Sequence, residues 1–151
     1  MLARDALAPW RSALDNAQLG TEIRGVPQEE RRRRALDLLE KVGLKGFEDA
    51  YPKALSQGMR QRVALARTLF EDKPIVLMDE PFSALDVVRK LELQALAVEV
   101  LQRRTVFWVT HDPLEALRVG QAIFVLTGQP ARINYQVEPT ESVPRDVQKS
   151  N

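Results

Sequence analysis

Most of what the sequence reveals about its fold lies between Leu55 and Asp86, in LSQGMRQRVALARTLFEDKPIVLMDEPFSALD. A turn that contains Gly58 comes first, and a basic amphipathic segment follows it. A short apolar run from Pro74 to Met78 comes next and ends abruptly in Asp79-Glu80. A run that is apolar at successive positions is typical of a strand buried on both faces of a parallel sheet. The sequence therefore predicts an α/β fold in which a helix leads into a buried parallel strand.

The two acids at the end of this run predict a functional edge. In parallel sheets, ligands bind beyond the carboxyl ends of the strands, and Asp79 and Glu80 stand at such an end. Adjacent carboxylates repel each other, so a structure that keeps both gives them different partners. Mg²⁺ for Asp79 and an attacking water for Glu80 would satisfy this requirement. A strand that merely ends in solvated acids is the alternative, and this pattern alone leaves it open.

The turn before the helix has two interpretations. Ser56 is a helix-capping residue type, and Gly58 allows another group to approach the backbone closely. Free N–H groups and the positive end of the helix dipole make such a helix start a phosphate site. An ordinary helix cap is the simpler alternative. The apolar stripe of the helix consists of Met59, Val63, Ala66 and Phe70, and this stripe predicts core packing.

These segments resemble motifs of the ATP-binding cassette (ABC) ATPases. LSQGMRQRVALARTL is similar to their signature, usually LSGGQxQR, and IVLMDE resembles their Walker B strand. SALD at 83–86 resembles their D-loop, and Thr110-His111-Asp112 resembles their switch-histidine motif. The signature departs from the family at Gln57, which replaces a Gly, and at Met59, which replaces a Gln. The resemblance extends over residues 5–133.

The resemblance implies a RecA-like parallel sheet with a helical subdomain, in a protein that hydrolyses ATP with Mg²⁺. In the family, two copies close head to tail, and each ATP lies between one P-loop and the other copy's signature. Ser56, Gln57 and Gly58 are then the candidate nucleotide-binding residues. Asp79 would hold Mg²⁺, and Glu80 would be the general base or the group that orients water.

The resemblance also implies roles for His111 and Asp86. His111 is the only histidine of the chain, and it follows a second predicted strand, 105–109. A lone histidine is usually structural, but this one stands at the ligand edge of the predicted sheet. In the matched motif it would bond the γ-phosphate and help to orient the water. Asp86 begins a long predicted helix and would communicate across the dimer.

A phosphate-binding P-loop is missing from the sequence. None of the seven glycines is followed by Lys, so G-x-x-x-x-G-K-[ST] does not occur. We therefore expect the carboxyl-terminal part of an ABC ATPase, inactive by itself, with an apolar sheet edge that needs a partner. A non-catalytic module that binds a permease or a full-length ATPase is the alternative function. Soluble ABC ATPases of DNA repair or translation fit poorly, because neither tandem cassettes nor large insertions are seen.

The first ten residues, MLARDALAPW, resemble the segment around the family's Q-loop glutamine, whose position is taken here by Ala3. Leu7 and Trp10 are predicted to pack, with a permease-facing role for them as the alternative. LAPWRSALDNAQLG and GQPARI most resemble the importers of nitrate, sulfonate and taurine, with thiamine-precursor importers close by. This resemblance does not identify the solute.

The remaining elements are predicted from local patterns. They are a helix over 11–19 stopped by Gly20, a helix from Pro27 to Gly43, a short helix opened by the cap and first-turn pair Asp112-Pro113, a strand over 121–126, an edge strand over 133–137 and a frayed tail from Glu138. The arginines at 31–34, 60, 62 and 67 are predicted to be solvated or paired with acids. The domains follow as a helical subdomain (1–72), part of a RecA-like core (73–137) and a polar tail (138–151).

Composition excludes several classes of protein. Lys and Arg total 22 against 21 acids, so net charge gives no sign of nucleic-acid binding. The absence of cysteine excludes disulfides. No apolar run approaches the ~20 residues that span a bilayer. With the resemblance, this predicts a cytoplasmic protein held at the inner face of the cell membrane through permease subunits.

Overall fold

The computed structural model of the chain describes residues 6–23 and 25–146. The elements in these residues are α1 (Ala13–Ile23), α2 (Gln28–Lys41), α3 (Gln57–Phe70), β1 (Ile75–Asp79), α4 (Val87–Leu101), β2 (Thr105–Val109), α5 (Pro113–Val119), β3 (Ile123–Thr127) and β4 (Arg132–Val137). Ala3 lies outside the described residues, so its place at the glutamine position stays a prediction. None of the described helices is both long and apolar enough to span a bilayer.

Three helices begin at the predicted capping residues. The side chains of Ser56 and Asp86 each accept a hydrogen bond from a backbone N–H three residues later, at 3.2 and 3.1 Å. Asp112 accepts two such bonds, from Leu114 and Glu115. These side chains satisfy N–H groups that have no partner within the first helical turn. Because these signals are local, the sequence predicted the starts of α3, α4 and α5 correctly.

The end of α1 differs from the prediction. Gly20 was expected to stop the helix, but α1 continues to Ile23. The Glu71 carboxylate lies in the space that a Cβ on Gly20 would take, but it is the end of a flexible side chain and does not by itself require glycine. Gly20 is therefore a residue within the helix and not a helix stop.

The core joins the helical part to one face of the sheet. α1, α2 and α3 pack against one another, and α4 packs against α3. The continuous core includes Leu14, Leu39, Leu65, Met78 and Leu93, which come from α1, α2, α3, β1 and α4. The elements that hold the candidate site thus share a single hydrophobic core, while the domain boundaries at 72 and 137 stay predictions.

The sheet that carries the acids has two parallel strands in the described part of the chain. β1 pairs with β2 so that Asp79 lies opposite Val109. Both strands therefore end at the same edge, as predicted.

β1 is covered on one face in the described residues and not on both, as expected for a strand without the P-loop half of its sheet. Val76 and Met78 are buried, whereas Ile75 and Leu77 on the other face are 57% and 66% exposed. Apolar residues at successive positions indicate a strand that is covered on both faces only in a complete sheet. The described residues supply a cover for one face.

The last two strands form a separate antiparallel hairpin. The predicted strand over 121–126 is β3, and it pairs with the predicted edge strand, β4. The sequence did not reveal that they pair with each other and not with the β1–β2 sheet. The hairpin is therefore a separate sheet beside the one that carries the site.

The segment after β4 is not frayed as far as it is described. Arg145 is buried, and its guanidinium donates hydrogen bonds to the carbonyl oxygens of Leu117, Gly120 and Pro139 at 2.7–3.2 Å. The backbone N–H of Arg145 also donates to Arg118 O at 2.9 Å. These bonds hold the segment against the end of α5, because charged donors bond carbonyls more strongly than neutral ones do.

Candidate active site

The register of β1 and β2 brings two distant motifs to one edge. The backbone N–H of Glu80 donates to Val109 O at 2.9 Å, one step beyond the last paired residues of the strands. The chain that leaves β1 and the chain that leaves β2 therefore start side by side. This arrangement places Glu80 and His111 at the same edge of the sheet.

The side chains of Glu80 and His111 are in direct contact. His111 Nδ1 lies 2.7 Å from Glu80 Oε1. An ionised carboxylate only accepts hydrogen bonds, so this contact requires a proton on Nδ1. In the neutral ring, Nε2 is then an acceptor, and in the imidazolium it is a second donor. The contact therefore fixes which nitrogen of His111 remains for another ligand.

Glu80 has an unusual backbone conformation that the sequence did not reveal. Its φ is +43°, in the left-handed region that a residue with a Cβ rarely adopts. The N–H of Glu80 bonds Val109, as described above. The carbonyl oxygen of Glu80 accepts two further hydrogen bonds from Ser83, one from its N–H at 3.3 Å and one from its hydroxyl at 3.1 Å. Conformations of this kind persist where surrounding bonds determine them, and they cluster at functional sites.

Asp79 is exposed at the last position of β1. No group of three or more His, Cys, Asp or Glu in the described residues is arranged to hold a metal ion. Mg²⁺ is usually bound by one or two carboxylates together with waters and substrate phosphates. Asp79 thus fits a role as one ligand of Mg²⁺ that arrives with phosphate, but not a site that this chain forms alone.

The signature residues lie at the start of α3. Ser56 is its N-cap, and Gln57 is its first residue. Gly58 has an ordinary helical backbone, and the atom nearest to a Cβ placed on it is Arg89 Cδ at 3.8 Å. That distance is an ordinary contact, so nothing in the described residues requires glycine at this position. Glycine at position 58 is consistent with the close approach of a group from outside the described residues.

Helix α4 links the two groups of predicted residues. Arg89 lies beside Gly58, and its Nε is 3.4 Å from the carboxylate of Asp86, the N-cap of α4. Lys90, the next residue, places Nζ 2.8 Å from Asp112 Oδ2, beside His111. Successive residues of one helical turn therefore contact both the signature and residues 110–112, the switch segment.

A buried polar network surrounds the switch segment. Glu115, which is buried, accepts a hydrogen bond from Gln94 Nε2 at 3.0 Å and another from the hydroxyl of Thr110. Lys90 Nζ lies 3.5 Å from the same carboxylate. Sequence reasoning missed these residues, because their partners lie more than 20 residues away in the sequence.

The charges of the network shift two pKa values. The hydrogen bond from Lys90 holds the pKa of Asp112 below its ordinary value. Burial lowers the pKa of Lys90, but the hydrogen bond to Asp112 and the charge of Glu115 outweigh burial, so the net pKa is raised. Both shifts favour the charged forms, because an opposite charge in contact stabilises them.

The structure adds to one prediction about surface residues and corrects another. Arg60, Arg62 and Arg67 were predicted to be solvated or paired with acids; all three are half-buried, and they also donate to the backbone carbonyls of residues 55, 42 and 6 at 2.8–2.9 Å. Trp10 was expected to pack but is 75% exposed, whereas Leu7 does pack against the core.

Comparison with known proteins gives consistent matches. Residues 2–83 match the family described as ABC transporter. An uncharacterized ABC transporter ATP-binding protein of Methanocaldococcus jannaschii is 48% identical over 93% of this chain and 53% of its own length. The taurine import ATP-binding protein TauB of Rhizobium johnstonii is 45% identical over 86% of this chain and 50% of its own. The chain thus spans about half the length of these curated relatives.

A solved structure shares the fold. It is the ATP-binding cassette MJ0796, in a dimeric post-hydrolysis state bound to ADP and Pi. The TM-score is 0.72 at 32% identity, over 91% of this chain and 61% of that one.

Proposed function

The chain belongs to the ABC transporter family, and on this premise we propose that it supplies the signature, Walker B, D-loop and switch residues of an ATP-hydrolysing transport subunit. The observation that carries the proposal is the 2.7 Å contact between His111 Nδ1 and Glu80 Oε1. Two residues from separate motifs, each expected to act on the attacking water, meet at the edge where ligands bind in parallel sheets.

The chemistry follows from the atoms at this edge. Glu80 accepts a proton from water or aligns it for in-line attack on the γ-phosphate. With Nδ1 of His111 engaged by Glu80, only the imidazolium has an N–H on Nε2 to donate to the phosphate. Asp79 would hold Mg²⁺, which neutralises developing phosphate charge when it is bound. Ser56, Gln57 and Gly58 would contact nucleotide held by a second subunit, and Asp86 would communicate between the two subunits.

ATP binding needs a P-loop that this sequence does not contain. A cleft of about 600 Å³ lies between β2 and β3, and Val106, Trp108, Ile123 and Phe124 are among its lining residues. β2 pairs with β1, and β3 pairs with β4, so neither strand hydrogen-bonds across the cleft. We propose that the strand leading to a P-loop enters here, because an apolar strand would bury this lining and pair with the available edge of β2.

The partners follow from the same proposal. A second ATPase subunit would complete each nucleotide site head to tail, and permease subunits would hold the protein at the cytoplasmic face of the membrane. Likeness to a taurine import protein supports a small solute of the nitrate, sulfonate, taurine or thiamine-precursor kind. An ATPase subunit does not touch the solute, so this class rests on likeness alone.

A non-catalytic interaction module is the second candidate, and the missing P-loop favours it for this chain alone. The two functions are separated by joining a P-loop half from a related ATPase ahead of the chain and measuring ATP turnover. We expect turnover in the joined protein and no micromolar binding of Mg-ATP to the chain alone by isothermal titration calorimetry. A folded joined protein that binds ATP but does not hydrolyse it would favour the interaction module.

A further inference from the structure

The imidazole of His111 is poorly held by its own surroundings. Its side chain is 75% exposed, and Glu80 is its hydrogen-bond partner in the described residues. The backbone that carries an exposed ring determines which rotamers are allowed and where the ring can reach. The position of His111 therefore depends on what holds its two neighbours in the sequence.

Both neighbours of His111 are held by side chains. The hydroxyl of Thr110 donates to Glu115 Oε2 and accepts from the backbone N–H of Asp112 at 3.1 Å. Glu115 is in turn held from α4, where Gln94 donates to its other oxygen. Because Glu115 is buried and bonded at both oxygens, it is a fixed point beneath the switch segment.

Lys90 joins the two carboxylates of this network. Its Nζ lies 2.8 Å from Asp112 Oδ2 and 3.5 Å from Glu115 Oε2. Without this cation, two carboxylates would face each other in a partly buried site, which is unfavourable. Lys90 also belongs to the first turn of α4, where its N–H donates to Asp86 O at 2.9 Å.

We propose that Lys90 and Glu115 are positioning residues that hold His111 in hydrogen-bonding reach of Glu80. Through α4, they connect the position of the imidazole to the D-loop residue Asp86. The inference rests on the proposed function only in treating His111 and Glu80 as a catalytic pair. The contact between His111 and Glu80, which the proposal explains, forms within the chain itself and does not depend on bound nucleotide.

The test uses the single histidine of the chain as a spectroscopic reporter. In chain labelled at histidine, the ¹⁵N shifts of the neutral ring report whether the proton is on Nδ1 or Nε2. We expect the Nδ1-protonated form in the parent, because Glu80 accepts from that nitrogen. Glu80→Ala removes the acceptor and defines the shift for complete loss of the contact. Lys90→Met should produce at least half of that shift without changing either member of the pair.

Two further variants make the test specific. Lys90→Arg keeps a cation within reach of both carboxylates and should restore the parent spectrum. Lys73→Met makes the same chemical change at an exposed lysine and should leave the spectrum unchanged. A folded Lys90→Met protein with the parent proton distribution would overturn the proposal, and so would a Lys90→Arg protein that behaves like Lys90→Met.

Loss of folding does not remove the test. If Lys90→Met is unfolded by circular dichroism, Glu115→Leu keeps a similar volume and removes the acceptor of the Thr110 hydroxyl, and it should produce the same shift. An unchanged spectrum in folded Glu115→Leu would then overturn the proposal. Failure of the proposed function would appear separately, as absent ATP turnover in the joined protein with the His111 contact intact.

Discussion

His111 Nδ1 lies 2.7 Å from Glu80 Oε1, although the two residues are 31 positions apart in the sequence. The parallel register of β1 and β2 explains the contact, because Asp79 and Val109 end the two strands opposite each other. Each strand delivers one member of the pair to the same edge. Two residues assigned to separate motifs therefore form one contact, and this contact should affect both stability and catalysis.

The left-handed backbone of Glu80 should cost stability. We expect Glu80→Gly to raise the free energy of unfolding by about 1 kcal/mol, because removing the Cβ relieves more strain than the added chain entropy costs. Urea denaturation of the 151-residue chain measures the difference. The matched control is Glu92→Gly in the middle of α4, which should lower stability by about 1 kcal/mol. If Glu80→Gly and Glu92→Gly lost similar stability, the backbone of Glu80 would not be strained.

The contact between Lys90 and Asp112 should make stability depend on pH at both extremes. The lowered pKa of Asp112 contributes stability above its unfolded value of 3.8, and this is lost as pH falls through the folded pKa. The raised pKa of Lys90 contributes stability below 10.5, and this is lost as pH rises through the folded pKa. The stability difference between the parent and Lys90→Met, measured from urea midpoints across pH, should therefore be largest near neutral pH and become smaller toward both extremes.

Lys90→Met should also lower stability at neutral pH by about 2 kcal/mol, less than the ~3–5 kcal/mol for breaking a fully buried pair. The expected loss is smaller than that for a fully buried pair because solvent reaches Asp112, whose side chain is 35% exposed. Lys45→Met is the control, because Lys45 pairs with Glu40 on the surface. Equal losses of stability in Lys90→Met and Lys45→Met would show that burial of the Lys90 pair does not add to its contribution.

The exposed face of the β1–β2 sheet should cause self-association. Leu77 and Phe107 are paired across the strands, and both are more than half exposed. Adjacent apolar groups on a two-stranded sheet favour pairing with a second copy, which removes them from water. We expect light scattering to detect dimers or larger species in the parent. The double variant Leu77→Thr, Phe107→Thr should shift the distribution toward monomer.

The control for self-association is Trp10→Thr, which removes an exposed aromatic residue from the loop before α1. This variant should associate as the parent does. A parent that stays monomeric at high protein concentration would show that the exposed sheet face does not drive association.

What the sequence could predict depended on how local each cause is. The caps at Ser56, Asp86 and Asp112 were predictable, because each side chain bonds an N–H within three residues. The conformation of Glu80 was not, since a carbonyl at Val109 helps to impose it. Long-range partners of this kind leave no periodic signal in a single sequence.

The network around Lys90 and the covered face of β1 also depend on residues that are distant in the sequence. Lys90 looks like one more solvated lysine until β2 and α5 bring Asp112 and Glu115 to it. The continuous apolar run of β1 correctly predicted a parallel strand, but it could not reveal which face the described residues cover. Burial is a property of the assembled elements, whereas apolar character is a property of the residues.

The two carboxylates that leave β1 should have different roles. Asp79 ends the strand, and Glu80 alone contacts His111, so the two acids should fail in different ways when neutralised in the joined protein. Glu80→Gln keeps shape and hydrogen-bonding reach but loses basicity, so we expect ATP binding to persist while turnover falls by about 100-fold or more. Unhydrolysed ATP should then hold the closed dimer, which size-exclusion chromatography with ATP detects. Asp79→Asn should instead weaken Mg-ATP binding, because a metal-holding carboxylate is lost. If Glu80→Gln hydrolysed ATP at near the parent rate, Glu80 would not be the general base, and His111 would become the leading candidate.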